Sequence, residues 1–76
     1  MNNEIRIIEV REEPIELCQL LKFATLTQTG GEAKQVIAEG LVKVNNVTET
    51  RKRKKLVAGD VVTFDGQRIR VAVEKK

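Results

Sequence analysis

Histidine, tryptophan and tyrosine are absent from this sequence of 76 residues, which contains one cysteine and two phenylalanines. Without histidine and with a single thiol, Cys18, the chain lacks the usual transition-metal ligands, a Cys–His nucleophile pair and any internal disulfide. No apolar run approaches the roughly 20 residues of a membrane span. The mixed charges of the first ten residues also differ from a signal peptide. We therefore expect a cytoplasmic protein with no metal and no cofactor.

A chain of this length is enough for one domain, and we expect residues 1–76 to form a single domain that stands alone. Such a domain buries only about 60% of its extended surface, which leaves no room for an enclosed small-molecule pocket. No pair of side chains is suited to acid–base catalysis, because turn formation explains Asp60 and Asp65. The sequence predicts a protein that is not an enzyme.

Positive charge is concentrated in the later part of the chain. Residues 1–21 contain two Lys/Arg and five acids, a net charge of −3, whereas residues 22–76 contain 12 Lys/Arg and six acids, a net charge of +6. Segregated positive charge is typical of proteins whose partner is a polyanion. An anionic membrane surface is a less suitable partner, because the sequence contains no amphipathic helix with a basic face and an exposed apolar face.

The first part of the chain predicts a strand over residues 3–10 and a helix over residues 14–24. Leucines spaced by three and four residues define the helix, and Pro14 suits its first turn. Cys18 fits the buried face of this helix. Both phenylalanines, Phe23 and Phe64, fit core positions.

The second helix has clear predicted ends. Thr29 is expected to cap its amino end while Glu32 reaches back to the cap, and Gly40 suits a left-handed stop. Ala33, Val36 and Ile37 form the predicted buried stripe of this helix.

From Leu41 onward the apolar period becomes two, which predicts short strands. Asn45-Asn46 and Asp65-Gly66 predict tight hairpin turns. Residues 50–55 are expected to form an exposed loop, and a strand over residues 68–74 is expected to complete the sheet. The fold class is therefore α+β, with two short helices packed on a small, mainly antiparallel sheet.

Two features could bind an anion. The first is a run of five cations: Arg51, Lys52, Arg53, Lys54 and Lys55. Such runs are typical of nucleic-acid contacts, although a solvated loop is the alternative. The second is the start of the second helix, where glycines would let a phosphate approach the backbone amides, although simple capping also explains them. The residues concerned are Thr29, Gly30, Gly31, Lys34 and Gln35.

For several other polar residues, both contact with RNA and a purely structural role stay open. The turn at Asn45 and Asn46 could present amides to RNA, although turn geometry alone also explains both residues. Four further cations could extend the basic patch or solvate their own faces: Lys22, Lys43, Arg68 and Arg70. Because the chain has so few aromatic rings, base stacking on an exposed platform is not expected, and recognition should depend on phosphates, 2′-hydroxyls and RNA shape.

The run GGEAKQVIAEGLVKVNN, from Gly30 to Asn46, resembles the RNA-binding domain family named after ribosomal small-subunit protein four (the S-four family). ETRKRKKL at 49–56, AGDVV at 58–62 and IELCQLLK at 15–22 match the same pattern. The resemblance covers about residues 13–65 and is greatest to the short stand-alone bacterial branch typified by YbcJ and YaaA. It implies an alpha-L motif, in which two helices and a small antiparallel sheet present the second helix and a hairpin loop to structured RNA.

Carried onto this sequence, the resemblance implies RNA contacts at Thr29, Gly30, Gly31, Lys34, Gln35 and Asn45, and from Arg51 to Lys55. Asn46 departs from the glycine common in the family, but asparagine also tolerates positive φ. We expect non-catalytic binding of structured RNA, either ribosomal RNA or tRNA-like, with the ribosome as a candidate partner. The alternative is a protein-interaction module that docks on a ribosomal or RNA-processing factor through Glu12, Glu13 and Glu16. Duplex DNA binding is a weaker alternative.

Overall fold

The computed structural model describes residues 5–74. The first helix, α1, spans Leu17–Phe23 and the second, α2, spans Gly30–Ala38. The strands are β1 (Ile5–Val10), β2 (Ile15–Glu16), β3 (Val42–Val44), β4 (Val47–Thr48), β5 (Lys55–Leu56), β6 (Val61–Phe64) and β7 (Gln67–Val73). The predicted start of the first strand at Asn3 and the predicted frayed tail at Lys75 and Lys76 lie outside the described residues.

Five strands form one sheet in the order β1-β7-β6-β3-β4, and β2 pairs with β5 in a separate antiparallel ribbon. Every pairing in the larger sheet is antiparallel except that of β1 with β7, which is parallel. The predicted architecture of two helices and a mainly antiparallel sheet is confirmed. The parallel pairing joins the two ends of the described chain, and no local pattern predicted it.

The core lies between the helices and one face of the larger sheet. Period-two alternation directs Val42, Val62 and Ile69 inward, and all three are inaccessible to solvent. Helix α1 supplies Leu17, Leu20 and Leu21, and α2 supplies Ala33 and Ile37, also inaccessible. Burial of this apolar area stabilises the fold and fixes the position of both helices relative to the sheet.

Helix α1 begins three residues later than predicted. Ile15 and Glu16 pair with Leu56 and Lys55 instead of continuing the helix toward Pro14. The ribbon residue Leu56 is fully buried. This long-range pairing overrides the local helical pattern, so the predicted helix boundary at Pro14 was wrong.

Helix α2 has the predicted cap and stop. The Thr29 hydroxyl accepts a hydrogen bond from the Glu32 amide at 3.0 Å, and Gly40 has a φ of +78°. The Glu32 carboxylate, however, accepts from the amide of Gln28 at 2.8 Å and not from that of Thr29. The reciprocal bond therefore forms one residue earlier than the sequence predicted.

Both predicted hairpin turns are confirmed. Asn45 and Asn46 have φ values of +52° and +69°, and Asp65 and Gly66 have +53° and +76°. The predicted loop over residues 50–55 is mostly exposed, but its last residue, Lys55, belongs to β5.

The two phenylalanines differ in their environment. Phe64 packs against the core, as predicted. Phe23 is 60% exposed, so its predicted core position was wrong. It is the last residue of α1, and the buried residues of that helix end with Leu21. Cys18 is buried and has a free thiol, as predicted.

Candidate nucleic-acid interface

The basic loop, defined as residues Arg51–Lys55, is attached to the amino end of α1. The first amides of any helix lack partners within that helix. Here the Leu17 amide donates to the Lys54 carbonyl at 2.9 Å, and the Cys18 amide donates to the Lys52 carbonyl at 3.1 Å. Backbone atoms therefore hold the loop in place, which leaves its side chains available for other contacts.

The five cations of the basic loop differ in their partners. Arg51 forms an ion pair with Glu49 at 2.9 Å, and Lys55 Nζ lies 3.6 Å from a carboxylate oxygen of Glu16. The side-chain hydrogen bond from Arg51 is the main cause that lowers the pKa of Glu49 from 4.5 to about 2. The central three residues of the loop, Lys52, Arg53 and Lys54, form no ion pair within residues 5–74. Positive charge that no ion pair neutralises is therefore concentrated at the middle of the loop.

The amino end of α2 is open to an external anion. Across the described chain, no hydrogen bond engages the backbone amides of Gly30 and Gly31. A Cβ built on Gly30 would have no neighbouring atom within 4 Å, so internal packing does not require glycine there. The helix dipole adds partial positive charge at this end. Together these features suit a phosphate that approaches the backbone closely.

The helix end and the basic loop converge. A surface depression of about 230 Å³, here called the cradle, is bounded by Glu16, Cys18, Gln19, Lys22, Gly30, Lys34 and Arg53. Its lining contains three cations and one carboxylate, and that carboxylate already faces Lys55. The cradle is therefore an electropositive site built from α1, α2 and the basic loop.

A second depression extends this surface along α2. It is lined by Ala38, Thr50 and all five residues of the basic loop. Gly30, Lys34 and Ala38 are spaced by four residues, so they share the face of α2 that borders the loop. The two depressions share Arg53, so they adjoin each other and could together contact a nucleic-acid backbone.

The predicted site residues separate into two groups. Gly30, Lys34 and Arg53 line the cradle, and the rest of the basic loop lines the adjoining depression. The others have internal partners or lie on another face. The Thr29 hydroxyl caps α2. Gln35, like Gly31, lies outside the lining of both depressions, and its side chain contacts Glu39 at 3.4 Å.

Asn45 has a structural role in this arrangement. Its side-chain oxygen accepts from the Val61 amide at 3.0 Å, and its nitrogen donates to Asp60 at 3.2 Å. These bonds link the β3–β4 turn to the start of β6. Contact of Asn45 with RNA stays a prediction.

Sequence reasoning left Lys22 open and did not consider Gln19. Both lie on α1 and line the cradle. Lys22 follows Cys18 by four residues, so the two share one helix face. This spacing was visible in the sequence, but only the observed packing of α1 against α2 shows what that face borders.

No group of three or more potential metal ligands is found among residues 5–74. Over the same residues, neither helix is long and apolar enough to cross a membrane.

Comparisons with known proteins agree with the resemblance seen in the sequence. A family model described as "S4 domain" matches residues 8–72. "Putative RNA-binding protein YbcJ" of Escherichia coli K12 is 51% identical over 57 residues, which cover 75% of this chain and 81% of that protein. "Probable ribosome maturation protein RlbA" of Bacillus subtilis 168 is 42% identical over 59 residues, covering 78% of this chain and 83% of that protein.

The solution structure of Escherichia coli YbcJ has the same fold. It superimposes with a TM-score of 0.70 at 42% identity, covering 92% of this chain and 90% of that chain. That structure is described as containing an αL motif involved in RNA binding. The predicted family and the predicted alpha-L fold are confirmed.

Proposed function

Since the chain belongs to the S4 domain family, we propose that it is a non-catalytic protein that binds structured RNA through the cradle and the basic loop. The phosphate backbone supplies most of the affinity, and the shape of the folded RNA supplies selectivity. The cytoplasm, where ribosomal and transfer RNAs are found, is the proposed place of action.

The observation that carries the proposal is the convergence of Gly30, Lys34 and Arg53 on one depression. An anion in the cradle would accept a hydrogen bond from the open amide of Gly30 and would lie among three cations. The central cations of the basic loop would contact neighbouring phosphates along the same strand. Each contact releases condensed counterions, so the affinity should depend strongly on salt.

The names of the relatives guide the choice of RNA. YbcJ is named for RNA binding and RlbA for ribosome maturation. We propose ribosomal RNA, or a tRNA-like fold, as the ligand of this chain. The ribosome or one of its precursors is the corresponding assembly.

The test is fluorescence anisotropy with the full chain across a salt series. The probes are bulk bacterial tRNA, a transcript of small-subunit ribosomal RNA and an unstructured polyuridine of similar length. The expected result is tighter binding to the folded RNAs, with an affinity that falls by a slope of about 0.7–0.9 per phosphate contact. Affinity that does not change with salt, or no preference over polyuridine, would contradict the proposal.

A further inference from the structure

A second surface of opposite charge lies beside the cradle. This groove of about 560 Å³, here called the acidic groove, lies between the ends of β1 and β7, the link before β2 and the outer side of α1. Pro14, Ile15 and Phe23 contribute its apolar part. Glu9, Glu12 and Glu74 contribute carboxylates.

Phe23 is the apolar anchor of the acidic groove. It is 60% exposed in a chain that has only one other aromatic residue. Gln19 and Phe23 are four residues apart on α1 and both are exposed, so they share one solvent-facing side of that helix. An exposed aromatic ring in a concave surface is the kind of group that stabilises protein–protein contacts when a partner buries it.

The negative charge of the acidic groove excludes RNA, the partner proposed for the cradle. Its lining has three carboxylates and one guanidinium, that of Arg11, although the whole chain has a net charge of +3. No ion pair within residues 5–74 engages Glu9, Glu12 or Glu74. A polyanion would be repelled here, whereas a cationic partner would find unpaired carboxylates around an apolar centre.

We propose that the acidic groove docks a lysine- and arginine-rich segment of another protein, which inserts an apolar side chain against Phe23. The occupant combines cations for the three carboxylates with one apolar residue for the ring. This surface is separate from the RNA-binding function proposed above and does not depend on it.

The two surfaces meet at Gln19, which lines both the cradle and the acidic groove. A basic segment in the groove would therefore continue toward RNA bound in the cradle, where its remaining cations would face phosphates. The protein would then join a basic protein segment to a folded RNA across one helix, α1.

The test is fluorescence anisotropy of the full chain, without RNA, with a labelled peptide in which lysine and leucine alternate. A peptide of alternating lysine and serine tests the need for an apolar anchor. Phe23→Ser tests the ring, and Glu12→Lys with Glu74→Lys tests the carboxylates. Matched controls are Val47→Ser, which changes another exposed apolar residue, and Glu39→Lys, which reverses an exposed acid directly after α2.

The expected result is binding of the lysine–leucine peptide that weakens at least about tenfold with Phe23→Ser and with the charge reversals. The two control variants should bind the lysine–leucine peptide as tightly as the unchanged chain. The lysine–serine peptide should bind the unchanged chain only weakly. Circular dichroism melts check that each variant folds, and tRNA affinity of Phe23→Ser should equal that of the unchanged chain.

Three results would overturn the inference. The first is no binding of the lysine–leucine peptide, and the second is equal binding by Phe23→Ser. The third is concentration-dependent dimerisation in sedimentation equilibrium that Phe23→Ser abolishes, because a second copy would then occupy the groove. None of these results bears on the salt series with RNA, so the two proposals fail separately.

Discussion

The backbone amide of Cys18 donates a hydrogen bond to the carbonyl oxygen of Lys52 at 3.1 Å. This bond and its neighbour from Leu17 to Lys54 satisfy the first amides of α1 with the backbone of the basic loop. The loop is therefore positioned by atoms that every residue type possesses. Its side chains can be exchanged without loss of the anchor, which makes the proposed RNA contacts directly testable.

Alanine at Lys52, Arg53 and Lys54 together should weaken RNA binding while the fold is retained. The carbonyl groups that anchor the loop remain, and three cations that form no ion pair within residues 5–74 are removed. The salt slope of tRNA binding should fall by up to about 2–3 units. Anisotropy across a salt series measures the slope, and circular dichroism checks the fold.

The matched control removes the same charge elsewhere. Arg6, Lys43 and Arg70 lie in strands of the larger sheet and line neither the cradle nor the adjoining depression. Their triple alanine variant should retain most of the affinity. Equal losses in the two variants would mean that net charge, and not the basic loop, determines binding.

Gly30→Ala should separate stability from binding. A Cβ at Gly30 meets no protein atom, and alanine favours a helix over glycine by up to about 1 kcal/mol. The variant should be at least as stable as the unchanged chain. Because the added methyl group lies where a phosphate would approach the amides, tRNA affinity should fall severalfold.

Gly31→Ala is the comparison for Gly30. Gly31 does not line the cradle, and its Cβ would only contact the Thr29 hydroxyl at 3.9 Å. Its effect on RNA affinity should be smaller. Thermal melts measure the stability of both variants, and anisotropy measures their RNA affinity. If neither variant binds RNA more weakly than the unchanged chain, a close approach of phosphate to Gly30 is refuted.

The two helices end in the same way with different residues. At the end of α1, Leu26 N donates to Leu21 O and Thr25 has a φ of +59°; at the end of α2, Leu41 N donates to Val36 O and Gly40 has a φ of +78°. A β-branched residue is strained in this left-handed conformation by about 1–2 kcal/mol, whereas glycine is not.

The separate substitutions Thr25→Gly and Gly40→Thr should therefore change the free energy of unfolding in opposite directions. Thr25→Gly relieves the strain, and after the entropy of glycine is subtracted it should stabilise by about 0.5–1 kcal/mol. Gly40→Thr should destabilise by about 1–2 kcal/mol, because a β-branched residue is strained at this positive φ. No steric clash adds to that cost, since the new Cβ would make only an ordinary contact of 3.7 Å with Thr48. Urea unfolding measures both, and destabilisation by Thr25→Gly would contradict the strain.

Glu49 should titrate well below an ordinary glutamate. Its pKa of about 2, against 4.5, results chiefly from the hydrogen bond with Arg51. Because the folded-state pKa is lowered, the pair contributes its stability above pH 4.5 and loses it as the pH falls toward about 2. In Arg51→Gln, the pKa of Glu49 should return toward 4.5. Carboxyl-carbon NMR titration measures it, and an unchanged pKa in the variant would exclude Arg51 as the cause.

Much of the fold follows from local sequence patterns. Helix α2, its Thr29 cap, its Gly40 stop and the Asn45–Asn46 turn depend on neighbouring residues, and the structure confirms them. Features that depend on distant partners were not predictable in the same way. The β2–β5 ribbon shortened α1 at its start, and the parallel β1–β7 pairing joins segments at opposite ends of the chain.

The candidate site shows the same division. The basic loop and Gly30 could be identified from residue type alone. The place of Lys22 in the cradle and the exposure of Phe23 depend on how α1 packs, which the periodicity of seven helical residues does not determine.

The most direct test of the cradle is an NMR titration of the ¹⁵N-labelled chain with folded tRNA. The account predicts that the amide of Gly30 and those of the basic loop shift together, with one common dissociation constant, while Lys43 and Arg70 on the larger sheet change little. Separate dissociation constants for the helix end and the basic loop, or shifts confined to the sheet, would contradict a single phosphate-binding cradle.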